Sequence, residues 1–191
     1  MIQEHLPVLQ VALPLVAAPL CLLLTRAMWA WLLALAVSVV ALGISIVLLR
    51  EVYTGEVISY AIGGWAAPWG IEYRVDAVNA LILIIVTAIS TVTLMFAKTS
   101  VAQEVEGDKQ GLFYTAWLLC LTGLLGIAIT GDVFNLFVFL EISSLSSYVL
   151  IGLGQDRRAL TASFQYLIMG TIGATLILIG IGLLYLSLIH I

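Results

Sequence analysis

Long apolar runs separated by short polar breaks make up most of the chain. A helix needs about 20 apolar residues to cross a hydrocarbon core. Six runs meet that length, at roughly 6–24, 28–49, 77–97, 112–130, 133–153 and 162–186, and each is read as a transmembrane helix. Pro7, Pro14 and Pro19 fall in the first run, so that helix is expected to bend where neighbours satisfy the freed carbonyls. The one long polar excursion lies between runs two and three. There 57–62 is rich in β-formers, 63–70 in turn formers, and 71–75 alternates apolar and polar residues with period two. The pattern predicts a β-hairpin over about 53–76. Tyr60, Trp65, Trp69 and Tyr73 suit the headgroup layer, where amphipathic rings collect. The fold class is therefore all-α membrane protein, one domain over 1–191, with a surface hairpin between helices two and three.

Composition removes the soluble alternative. Of 191 residues 63% are hydrophobic and 9% charged, against roughly 25% charged in a soluble domain, and mean hydropathy is +1.19. The net charge of −4 says little, because position matters more than total charge in a membrane protein, and with no basic run nothing suggests nucleic acid as a partner. Cys21 and Cys120 lie in apolar runs with no CxxC pattern and read as buried, reduced thiols. His5 and His190 have no partner at metal spacing, so no metal is assigned. The first residues lack the positive region of a cleavable signal, and the first helix is expected to stay in place. Orientation follows from Lys and Arg. Loops one, three and five carry Arg26, Lys98, Lys109, Arg157 and Arg158, whereas loops two and four carry Arg50 and Arg74. The positive-inside rule puts the first set in the cytoplasm, with the N-terminus and hairpin outside a plasma membrane.

Deep inside the spans stands one ionisable residue, Glu141. It lies nine residues past Asp132, about 13 Å into a core about 30 Å thick. Insertion of a charge at such depth costs roughly 2.5–3.5 kcal/mol, so the side chain is expected to face protein or water. Desolvation favours a neutral carboxylic acid and a nearby cation favours the ionised one. A carboxyl under both influences exchanges its proton when the neighbouring charge moves, which is the physics of a proton relay. The plainer alternative is a neutral Glu acting as interhelical glue. Helical periodicity puts Phe134, Phe137, Ser144 and Tyr148 on the same stripe, and Ser144 and Tyr148 are candidates to bond the carboxyl or hold a water. Asp132 reads first as a helix cap and second as a proton exit. Gln165 on helix six either wets a path to Glu141 or makes an ordinary interhelical bond. Asn79 has the same two readings. Gly170 and Gly173 read as packing positions.

The stretch 130–151 carries Asp132-x-Phe134, a Phe/Glu pair ending on Glu141, and Tyr148-x-Leu150-Ile151. Arg157-Arg158-Ala159 and Gln165-Tyr166-Leu167 follow. In these residues, in helix order and in the Gly/Trp-rich hairpin, the chain resembles the antiporter-like membrane subunits of Mrp-type cation/proton antiporters, respiratory complex I and membrane-bound hydrogenases. The run Glu141–Tyr148, with Ser146 where many complex I relatives have proline, is most similar to the D-type subunit of the Mrp branch. The resemblance implies a fold of about fourteen helices built on two inverted five-helix repeats. It implies that Glu141 is the proton-handling carboxylate, paired with a lysine on a seventh helix. It also implies no redox cofactor in the subunit, other membrane subunits as partners, and protons with Na+ or K+ as cargo. This chain stops after six helices, so only part of that fold is expected here, with truncation after about 185. The ending 186–191 is similar to a translated sequencing-adapter tail.

Three functions remain in view. The first is an ion-translocating subunit of a multisubunit cation/proton antiporter. The second is the corresponding subunit of an NADH-quinone oxidoreductase or hydrogenase. The third, from another class, is a non-transporting membrane scaffold in which Glu141 only glues helices.

Overall fold

The computed structural model describes residues 5–24, 26–53, 55–65 and 70–189, with side chains to 187. Six helices follow in order: α1 (Leu6–Leu23), α2 (Ala27–Val52), α3 (Ala77–Glu104), α4 (Gln110–Ile129), α5 (Val133–Gly152) and α6 (Arg157–Ile189). Each is long and apolar enough to cross a membrane. Hydrocarbon offers backbone groups no hydrogen bonds, so apolar runs of this length close their bonds internally as helices.

Strands β1 (Ile58–Ala61) and β2 (Glu72–Val75) lie between α2 and α3 and pair antiparallel, with Tyr60 opposite Tyr73. A 3₁₀ turn, Ile62–Gly64, leads out of β1. Gly63 and Gly64 sit there at φ 69° and 76°, a region that favours glycine. Trp69 and the rest of the hairpin tip lie outside the described residues. Trp65 is exposed, as a headgroup anchor should be, but Tyr73 is not: it is buried, 6.4 Å from the Phe139 ring. Period-two alternation turns Tyr73 and Val75 inward together and leaves Glu72 and Arg74 on the other face. Burial raises the Tyr73 hydroxyl pKa above its ordinary value of 10.0. An isolated bridge from Tyr73 to Thr130 and a bond from Gly131 N to Glu72 O (2.9 Å) dock the hairpin on the α4–α5 turn. His5 Nδ1 lies 3.0 Å from the Tyr60 hydroxyl and joins the start of α1 to the same surface.

The packed centre is α1–α4. Helix α2 presents Ala30, Ala34, Ser38, Ala41 and Ser45, all fully buried. Their spacing makes one seam, and small side chains there let α1 and α3 approach closely. Polar groups on this seam are stitched across helices: Gln10 Nε2 donates to Ser45 Oγ (2.7 Å), and Trp117 Nε1 donates to Ser90 Oγ (3.0 Å), which faces Ser38 Oγ at 3.2 Å. Helix α3 is tied to α4 at both ends. Asn79 Nδ2 donates to Ala128 O (2.6 Å) and Gln110 Nε2 to Val105 O (3.3 Å).

Helix α5 packs on α4, and α6 packs on α5. The α4–α5 crossing is close because glycines allow it. A Cβ on Gly123 would meet Ser143 Cβ and N at 2.6 Å, and one on Gly126 would run into the Phe139 ring. Helix α6 is largely uncovered on its remaining faces, with Met169, Leu176 and Leu183 exposed.

Candidate functional site

Glu141 sits midway along α5 and is half-buried. It has no hydrogen bond or ion pair among the described residues. Successive helical residues advance about 100°. Phe139, Ser143 and Ser146 are buried, and the first two face α4. Glu141 therefore stands about 200° round the helix from Phe139, on the side away from α4. Its neighbours there are Tyr148, seven residues on, and the exposed Phe134 and Leu145. The carboxyl thus lies at the seam between the α6-covered edge of α5 and its uncovered face.

The antiparallel α5–α6 register shows what α6 brings to that seam. Tyr185 donates to Asp132 Oδ1 (3.1 Å), a Cβ on Gly170 would strike the Tyr148 hydroxyl, and Ser163 Oγ donates to Tyr148 O (2.7 Å). By that register Glu141 falls level with Thr175 and Leu176. Thr175 bonds back to Thr171 O (2.8 Å) and is exposed.

The stripe expected from the sequence is present, but its members do not all converge on the carboxyl. Tyr148 is buried, its ring packs edge-on against Tyr166 at 5.0 Å, and its hydroxyl points to Gly170. Ser144 is half-buried and makes no hydrogen bond among the described residues. Asp132 is the N-cap of α5, with Asn135 N donating to Oδ2 at 2.7 Å. Gln165 is exposed near the start of α6, in a shallow recess with Asp156, Arg157 and Arg158. It lies close to the level of Tyr148, about 10 Å along the axis from Glu141. Gly170 is a packing position, as its contact with Tyr148 shows, whereas a Cβ on Gly173 meets nothing. Asn79 resolves into two roles at once, closing a capping box with Asp76 and bonding α4.

Three serines after Glu141 bond back to their own helix: Ser143 to Leu140 O (2.9 Å), Ser146 to Ile142 O (2.6 Å) and Ser147 to Ser143 O (2.8 Å). Such bonds compete with the backbone ladder and favour bending, while Ser147 Oγ also lies 3.5 Å from Cys120 Sγ on α4. The buried Gln10, Ser45, Thr87, Ser38 and Ser90 set was not anticipated. Its signal was in the sequence, as Ser38 and Ser45 are seven residues apart and Thr87 and Ser90 three.

The carboxyl thus stands on the edge of α5 with neither a hydroxyl bonded to it nor a cation to complete an ion pair among the described residues. Known proteins share this arrangement of helices. The family model for NADH:quinone oxidoreductase/Mrp antiporter membrane subunits matches residues 130–188, which hold Asp132, Glu141 and Tyr148. NADH-quinone oxidoreductase subunit N of Desulforudis audaxviator is 40% identical over 95% of this chain and 36% of its own length. The D-type subunit of the Na(+)/H(+) antiporter of Bacillus subtilis is 30% identical over 93% of this chain and 36% of its own. A chain of the Mrp complex from Dietzia superposes with a TM-score of 0.87 at 26% identity, over 97% of this chain and 34% of that one. The chain thus spans about a third of the length of these relatives. Nearly the whole chain is thus similar to membrane subunits of the NADH:quinone oxidoreductase/Mrp antiporter family, and its residues 130–188 match the model of that family.

Proposed function

We propose that this chain is part of an ion-translocating subunit of a multisubunit monovalent cation/proton antiporter, with Glu141 as its proton-handling carboxylate. The observation that carries the reading is a carboxyl in mid-span, half-buried and without a protein partner among the described residues. Facing lipid, a charge there costs about 2.5–3.5 kcal/mol. A position that expensive is kept where further protein, a cation or water meets it. The relatives are nearly three times as long as this chain, and the uncovered edge of α5 beside Glu141 is where the remainder of such a subunit packs. A cation brought to that edge favours the ionised carboxylate, and its withdrawal favours the neutral acid. Proton uptake and release then follow the movement of the cation. The α4–α5 glycine contacts hold α5 at Phe139 and Ser143, on either side of Glu141.

A second reading rests on the 40% identity to a quinone oxidoreductase subunit. In it the same carboxyl serves a redox-driven pump, and the redox centres belong to other subunits. Gene neighbours separate the two. Small antiporter subunits favour the first, and flavin and iron–sulfur subunits the second.

The test is Glu141→Gln in the full-length gene, assayed as cation/proton exchange in membrane vesicles. Exchange falls by about tenfold or more when a positioned proton-transfer group is removed, with assembly unchanged. Wild-type exchange in an assembled Glu141→Gln complex leaves Glu141 as interhelical glue.

A further inference from the structure

Away from α5, the core of α1–α3 contains a polar junction whose donors and acceptors do not balance. Gln10 is fully buried, as are Ser45 and Thr87. Gln10 Nε2 donates to Ser45 Oγ at 2.7 Å. The Ser45 and Thr87 hydroxyls lie 3.3 Å apart, and each also has a backbone carbonyl to donate to, Ala41 O at 2.9 Å and Leu83 O at 2.7 Å. Gln10 Oε1 is left with no donor among the described residues. Turning the amide over does not help. The nitrogen then takes the orphan position, with no acceptor, and one amide atom is unpaired in either assignment. Pro14 adds to the imbalance. It has no N–H to give the Gln10 carbonyl four residues earlier, so Gln10 carries a second acceptor short of its usual donor. The neighbouring layer differs, because Trp117 supplies an N–H to Ser90 and Ser38 faces the same oxygen.

We infer that Gln10, together with Ser45 and Thr87, binds a buried water between α1, α2 and α3. A water brings two hydrogens and two lone pairs, so it completes the amide in either orientation. Buried waters occupy sites of this kind, with two to four polar partners. A cation is the poorer ligand, since Gln10, Ser45 and Thr87 carry no charge to offset it in a low-dielectric interior. The bound water stitches the proline-weakened turn of α1 to the small-residue seam of α2 and to α3.

The full-length subunit in lipid nanodiscs, imaged at a resolution that shows ordered water, gives a peak within hydrogen-bonding distance of the Gln10 amide. A map that resolves the Gln10, Ser45 and Thr87 side chains without such a peak overturns the proposal. Gln10→Met, close in size and without the amide, gives an independent reading. If the water bridges the helices, the unfolding temperature falls by about 2 °C or more. If the amide is merely unsatisfied, its removal leaves the temperature unchanged or raises it, which also overturns the proposal.

Discussion

At the scale of single residues, the clearest roles belong to polar groups at helix ends. Asp76 Oδ1 accepts from Val78 N and Asn79 N, both at 2.8 Å, while Asn79 Oδ1 accepts from Asp76 N at 3.2 Å. Asp76→Ala is expected to cost about 1 kcal/mol, the usual value of an N-cap, and Asp76→Asn far less. Denaturation of the purified full-length protein in detergent measures both, and equal loss from the two contradicts the cap. The Asp132 cap and the place of Glu141 midway along its helix were legible because both follow from position along an apolar run. The direction of Tyr148 was not. Periodicity puts it on the Glu141 stripe, but the gap left by Gly170 on another helix draws its hydroxyl away. Tyr73 escaped for a related reason: a strand's alternation says which residues share a face, and only the docked α5 says which face is inward.

Elements show the same division. Six apolar runs announced six helices, and the period-two stretch before α3 announced the hairpin. The helix ends ran further than the apolar runs, as α3 continues through Lys98 to Glu104 and α6 begins at Arg157, because a helix already nucleated extends past the hydrocarbon edge at little cost. Which glycines matter depends on the partner helix. Gly123→Ala must push Ser143 and the Phe139 carbonyl away from α4, an overpacking expected to cost about 1–3 kcal/mol. Gly173→Ala meets nothing and gains up to about 1 kcal/mol of helix propensity. Thermal melts of the two variants should therefore shift in opposite directions, and a shared direction contradicts the α4–α5 crossing.

For the whole molecule, the contacts sort the loops onto two surfaces. His5–Tyr60 and the Tyr73–Thr130 bridge gather the start of α1, the hairpin and the α4–α5 turn on one. On the other, Glu104 and Val105 share a groove with Gly154 and Asp156. There Lys109 pairs with Glu106 at 2.6 Å, an exposed contact that raises the lysine pKa. From the Lys/Arg asymmetry we propose that this second surface is the cytoplasmic one. A membrane-impermeant maleimide should thus label Glu56→Cys on intact cells and Asp108→Cys only after permeabilisation. The native thiols interfere little, as Cys21 is buried and Cys120 lies mid-span on α4. The reverse pattern inverts the orientation. The two ties between α3 and α4 have a further mechanical result. Between Asn79 and Val105 α3 runs about 39 Å, while α4 covers about 27 Å from Ala128 back to Gln110. Helices of unequal length pinned at both ends cannot stay parallel, even with the slack of two side chains. In a bilayer the lean of the longer helix against the shorter gives α3 room to take up a mismatch in thickness by changing its tilt.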